Sequence, residues 1–365
     1  MLGILLVLIF PIFLISAEAQ GQAFDDLAAR AAQARDANDL PLAIELYQQA
    51  LQLNEHWTEG WWYLGSLAYD ADRYDIARDA LAHCVEQKPD MSPALGLLGL
   101  TEFQAKEYDR ALRHIQQSLA DTRLEPQMVR VLRYHEAVLL AHSGDYDQAI
   151  QKYAWFASDT EPPASMLQGI GIAALREPLL PSDIPAERRD LFESAGRTLW
   201  TAMSQDEAHA ANAFEQLLNR FPASPGVHAL VGVYLQAAPA GKAAAEFRRE
   251  LDAEPTNPAA AAMLACLLLN HGDPAAALPF AQKAAEEAPR LSVAQYAFGR
   301  ALAETGDVSN GAKHLETAVQ LDPANLDDHI ALASAYSKAG RTMDARAERS
   351  RTMALSRGTA IHAQP

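Results

Sequence analysis

A pattern that returns every 34 residues constrains this chain more than anything in its composition. Its clearest instance is Thr58–Met91, TEGWWYLGSLAYDADRYDIARDALAHCVEQKPDM. Trp61, Leu64, Gly65 and Ala68 recur at intervals of three and four, which puts them on one face of a helix. Ala77, Leu81 and Cys84 do the same in the second half, and Pro89 ends that helix because its ring forbids continuation. The stretch reads as two short helices joined by a tight turn. Gly65, Ala77 and Cys84 are small enough to let the pair approach closely, while Trp61, Leu64 and Leu81 fill the space around the contact.

Recurrence makes the reading specific. One step back, Phe24–Trp57 carries Leu27, Ala31, Ala43, Tyr47 and Ala50 in the matching places; one step forward, Ser92–Glu125 carries Leu95, Leu98, Gly99, Ala111 and Ile115. The phase returns in Ser224–Asn257, Pro258–Leu291, Ser292–Asn325 and Leu326–Thr359. Gly144, Gly272, Gly306 and Gly340 fall at the helix-ending turn. The pattern W-x2-L-G with a later A-x3-L and a closing Pro resembles the tetratricopeptide repeat. The resemblance implies an all-α fold, a right-handed superhelical solenoid of about nine helical hairpins.

The expected division is a signal peptide or N-terminal anchor over 1–19, four repeats over 20–163, a connector over 164–190, five repeats over 191–359 and a tail over 360–365. In the connector, Met166–Glu177 reads as one apolar helix. Pro178, Pro181 and Pro185 then stiffen the chain, and the Leu179-Leu180 pair between them is either part of a plain seam or a docking surface. At the N-terminus, Leu2–Ile15 is apolar apart from Gly3 and Pro11, and Ala17-Glu18-Ala19 supplies a small-x-small cleavage pattern. The positive n-region of a signal peptide is missing, so an uncleaved anchor stays open as the alternative. Export to the periplasm or secretion follows from the first reading; membrane attachment follows only from the second.

The formal charge of −17 argues against nucleic acid, which needs Lys and Arg to neutralise phosphates. The two cysteines, Cys84 and Cys266, fall in different repeats and read as small core residues rather than a disulfide. His135 and His142 lie seven apart on one helix, but no Cys or i, i+4 His pair completes a metal site. The eleven histidines read as solvated or groove-lining, and Asp70, Asp72 and Asp75 as turn residues. Gly169-Ile170-Gly171 lacks a third glycine and a preceding strand, and Lys242 has no P-loop before it. No cofactor, metal or small-molecule substrate is expected, and no catalytic set.

The resemblance directs attention to the first helix of each unit, whose places 2, 5, 9, 12 and 13 line the concave side in that family. Here those places give Trp62, Tyr69, Phe103, Tyr134, His142, His228, Leu235, Leu269, Tyr296, Arg300 and Lys338. The Lys/Asn/Arg clamp of the family's chaperone-binding members is absent, since its slots hold Ala28, Ala32, Trp62, Ser66, Gly96 and Leu100. The expectation is an aromatic, mostly uncharged groove that binds a peptide segment or partner protein without enzymatic chemistry. Two rival roles stay open: a recognition subunit of an enzyme complex, or a self-associating envelope-assembly component.

Overall fold

The computed structural model describes residues 17–159, 161–204, 207–237 and 241–362. Among these the fold is all-α: nineteen α-helices and three short 3-10 turns, with no strand. The expected leader over 1–19 lies outside the described residues, except that Ala17–Ala19 open the first helix. Among the described residues no helix is long and apolar enough to cross a membrane.

The chain forms two compact units, residues 1–156 with 178–182 and residues 157–177 with 183–365. The first holds α1 (Ala17–Asp36), α2 (Leu40–Leu53), α3 (Thr58–Asp70), α4 (Tyr74–Gln87), α5 (Ser92–Gln104), α6 (Tyr108–Leu119), α7 (Pro126–His142) and α8 (Tyr146–Ala154). The second holds α9 (Ala164–Leu175), α10 (Arg189–Ser204), α11 (Glu207–Arg220), α12 (Val227–Tyr234), α13 (Lys242–Ala253), α14 (Pro258–Asn270), α15 (Pro274–Glu287), α16 (Ser292–Thr305), α17 (Val308–Leu321), α18 (Leu326–Lys338) and α19 (Thr342–His362). Helix α9, placed by sequence in a connector, is the packing partner of α10 in the second unit.

The helices start where local chemistry tells them to. Asp39, Asp145, Asn257, Asp273, Asp307 and Asn325 accept a backbone N–H at a helix N-cap. Proline opens α2, α5, α7, α14 and α15, where a missing N–H costs nothing. The turns inside the hairpins share one geometry. A residue in the left-handed region stands at Asn38, Asp72, Lys106, Gly144, Gly272, Gly306 and Gly340. At all of these but Gly306 the following N–H reaches back to the carbonyl of Ala34, Ala68, Glu102, Leu140, Leu268 or Tyr336 at 2.8–2.9 Å, closing a Schellman turn. The sequence shows this place only where glycine occupies it. Lys106, at φ 62°, holds a backbone that a Cβ disfavours. Lys106→Gly is therefore expected to stabilise the first unit by about 0.5–1 kcal/mol in urea unfolding; an unchanged or lower midpoint would refute the strain.

Between the paired helices the small residues do what the spacing predicts. Leu64, Ala68, Ala77, Leu81 and Cys84 are buried in one core with Leu98, Ala111, Ile115 and Leu132. A methyl added at Gly65 would meet the Leu81 side chain at 2.6 Å, so the close approach needs glycine there. Trp61 differs from the expected core role. It is half-buried at the edge of that core, stacks on His83 with ring centroids 4.5 Å apart, and donates its Nε1–H to the Glu55 carbonyl at 2.8 Å. Helices α9 and α10 approach more closely still. A methyl at Gly171 would lie 1.9 Å from the Phe192 carbonyl oxygen, and one at Gly196 1.9 Å from that of Leu167.

Candidate functional site

The first unit gathers aromatic rings where its hairpins turn. Tyr69 lies in the last turn of α3, and Tyr74 begins α4 with its ring centroid 5.7 Å away. One repeat on, Phe103 of α5 meets Tyr108 of α6 at 5.8 Å, and Tyr108 meets His142 of α7 at 4.7 Å. Phe103 also meets His135 at 5.0 Å, and His135 meets Tyr134 at 5.3 Å. Five rings, Tyr134–His135–Phe103–Tyr108–His142, thus form a continuous band across α5, α6 and α7, mostly edge to face. Tyr69, Phe103 and Tyr108 pack on the core and remain half-exposed, so the band is anchored and still presents surface.

A cleft of about 480 Å³ opens beside the band, between the α5–α6 turn and the C-terminal end of α7. Leu112 and Leu139 contribute apolar wall, Tyr108 and His142 contribute rings, and Lys106, Glu107, Asp109 and Arg110 add charge of both signs. His142 Nδ1 is buried there with no hydrogen-bond partner among the described residues. Burial lowers the pKa of His135, favouring its neutral imidazole, and its Nδ1 bonds the Val131 carbonyl at 2.8 Å. The Tyr74 hydroxyl donates to Asp72 at 2.6 Å, a bond that with desolvation pushes the phenol up to about 12. Burial, then Asp70 and Asp72, raises Tyr69.

Five of the residues that the resemblance marked fall in this unit. Tyr69, Phe103, Tyr134 and His142 join the ring network, and Trp62 is half-buried against the core. Those in the second unit do not form such a wall. Leu269 is only 2 % exposed, packed with Ala265, Ala277, Ala281, Ala297 and Ala301, because its register points it at the α15 and α16 seam. Leu235 lies in a 3-10 turn against the cluster around Phe247. Arg300 is occupied by the Glu304 carboxylate at 2.7 Å, Asn270 at 2.7 Å, the Tyr296 hydroxyl at 3.2 Å and the Leu269 carbonyl at 3.3 Å. Tyr296 is thereby drawn into the same internal network, and Lys338 is exposed.

His228 serves the hairpin rather than a groove. Its Nε2 bonds the Pro222 carbonyl at 3.0 Å and its Nδ1 the Glu246 carboxylate at 2.7 Å, and Glu246 also pairs with Arg249. His329 repeats the arrangement, with the Pro323 carbonyl at 3.1 Å, Glu348 at 2.6 Å and Arg351 beside Glu348. Gln295 takes the histidine's place one repeat earlier, bonding the Pro289 carbonyl at 3.0 Å and His314 at 2.8 Å. In the first unit His114 bonds the buried Glu102 at 2.7 Å. These four histidines are neither solvated nor groove-lining; each ties the two helices of a hairpin together. Among the described residues no three His, Cys, Asp or Glu side chains converge as metal ligands. Both cysteines are free, and burial lifts their thiols to about 11 at Cys84 and about 12 at Cys266. Leu180 of the connector is 4 % exposed, which removes it as a docking residue.

Sequence reasoning missed Tyr108, and it placed His135 only among histidines read as solvated or groove-lining. A signal for Tyr108 was there: Tyr74-Asp75, Tyr108-Asp109 and Tyr146-Asp147 open the second helix of three successive hairpins.

The tetratricopeptide repeat profile matches residues 28–92 and 63–128, from α1 to the start of α7, so Phe103 and Tyr108 of the ring band lie inside the match and Tyr134, His135 and His142 lie beyond it. Residues 28–128 carry tetratricopeptide repeats. No curated protein sequence matches it. Several solved structures of tetratricopeptide repeat proteins are similar to it. MamA residues 41–end from Desulfovibrio magneticus RS-1 is 19 % identical over 46 % of this chain and 96 % of that one, with TM-score 0.39. Yeast Tom70 is 14 % identical over 92 % and 85 %, with TM-score 0.37. YrrB, described as a TPR protein with an unusual peptide-binding site, is 20 % identical over 47 % and 90 %, with TM-score 0.37.

Proposed function

We propose that this tetratricopeptide repeat protein is a non-enzymatic adaptor that holds a peptide segment of a partner protein against the aromatic band of its first unit. One observation carries the reading: five linked rings stay half-exposed beside a cleft of about 480 Å³. Rings fixed by core contacts lose little freedom on binding, so the ordering cost falls mainly on the incoming segment. Pockets between rigid aromatics suit alternate apolar side chains of an extended peptide.

The test uses peptides selected from a displayed library on residues 20–365, with affinity read by fluorescence anisotropy. Tyr134→Ala combined with His142→Ala is expected to weaken binding about tenfold or more while helix content by circular dichroism is kept. Tyr296→Ala, in the second unit, is expected to leave affinity unchanged. Undiminished binding by the first variant would remove the band as the site.

We also propose that the chain works outside the cytoplasm, either as a periplasmic or secreted protein or held by an uncleaved N-terminal segment. Support comes from the apolar run Leu2–Ile15 and the Ala17-Glu18-Ala19 pattern. N-terminal sequencing of the protein recovered from an expressing cell separates the two forms, and its recovery in the cytosol with Met1 intact would exclude both.

A further inference from the structure

The chemistry around the cleft narrows the partner, on the reading that the ring band is a binding site. The turns joining α3 to α4 and α5 to α6 sit at one edge of the first unit, and the cleft opens at that edge. Exposed carboxylates gather there: Asp70, Asp72 and Asp75 at one turn and Asp109 at the next. Cations nearby are fewer or already engaged. Arg78 bonds Glu107 at 3.0 Å, and Arg110 bonds the same carboxylate at 2.6 Å, which leaves Arg73 and Lys106. Each exposed Asp at the head of α4 and α6 follows a half-buried tyrosine, Tyr74 or Tyr108. The acidic residues alone would say only that helices begin there. The cleft, walled by Leu112, Leu139 and the Tyr108 ring, is a separate observation, and it offers an apolar side chain a place to enter between the charges.

We infer that this edge binds a basic, extended segment of a partner protein, its Lys or Arg stems lying over Tyr74 and Tyr108 and its charged heads meeting Asp75 and Asp109. An apolar residue between two basic ones enters the cleft against Leu112 and Leu139. Tyrosine faces attract such cations, and flanking carboxylates raise both their local concentration and their rate of arrival. The net charge of −17 favours the same partner at long range.

Three labelled peptides that differ only in charge decide the matter: repeats of Arg-Leu-Gly, Gln-Leu-Gly and Glu-Leu-Gly, titrated with residues 20–365 at low and high salt. The Arg peptide is expected to bind tightest and to weaken with salt. Asp75→Asn with Asp109→Asn is expected to reduce its affinity about fivefold at low salt and little at high salt. Tyr108→Leu is expected to cost about tenfold at both. Glu86→Gln with Asp90→Asn, which removes two exposed charges at the far end of the same hairpin, is the control and should change affinity less than twofold. If it matches the turn-edge pair, the attraction is diffuse and the site is wrong. Tyr108-dependent binding of the Glu or Gln peptide as tight as that of the Arg peptide overturns the basic partner and leaves the ring band standing. No Tyr108-dependent binding of any of the three overturns both.

Discussion

Gly171→Ala is expected to destabilise the second unit by about 3 kcal/mol or more, lowering its melting temperature by roughly 10 °C. The added methyl would arrive 1.9 Å from the Phe192 carbonyl oxygen, and backbone cannot move aside as the tip of a side chain can. Gly196→Ala strikes the same seam from the other helix, 1.9 Å from the Leu167 carbonyl oxygen, so either change forces α9 and α10 apart. Their effects should be strongly non-additive, because the first separation removes the second clash. Calorimetry of the two single variants and the double is the check, and a double variant as costly as the two singles summed would rule out a shared seam. Gly144→Ala makes a useful contrast. It has φ 89° and nothing within 4 Å of the new methyl, so it carries only the backbone penalty of about 1–2 kcal/mol.

His329→Leu is expected to cost about 3–5 kcal/mol, because it leaves the Glu348 carboxylate buried with Arg351 as its remaining partner. The Pro323 carbonyl can only accept, so His329 Nε2 carries a hydrogen and Nδ1 faces Glu348. The protein itself supplies a rescue. In the hairpin of α16 and α17, 34 residues earlier, Gln295 and His314 occupy the equivalent places and make the equivalent bonds. His329→Gln combined with Glu348→His should therefore recover most of the loss, to within about 1 kcal/mol of the parent. Urea unfolding of the single and double variants measures this. A double variant no better than His329→Leu would mean that the two hairpins are not interchangeable.

What the sequence made legible followed from short-range periodicity. Leu64, Leu81, Ala111 and Ile115 are buried where a 34-residue register puts them, and the glycine turns sit where a helix must reverse. Beyond one hairpin the register lost its grip. Whether a ring is open or covered depends on the neighbouring ring, as at Phe103 and His135, which lie 32 residues apart in the chain and 5.0 Å apart in space. Leu269 illustrates the limit: its repeat place nominates it for an open wall, yet the alanine-rich α15 and α16 come close enough to bury it. The pairing of α9 with α10 was hidden for another reason. Thirteen residues, 176–188, separate the two helices, so no hairpin spacing connects them. Gly171 and Gly196 are meaningful only once both helices are seen side by side.

The inner turns of the two units end up with different surfaces. Asn38, Asp72 and Lys106 stand at the left-handed place in three first-unit hairpins, while Gly272, Gly306 and Gly340 stand there in the second. Along the former the first three turns each carry a different side chain before Gly144 stands at the fourth, whereas along the latter the turns present bare main chain. Since these side chains are exposed, exchanging them one at a time changes the surface of the turn while the interior stays packed, at no more than the backbone cost of the left-handed place.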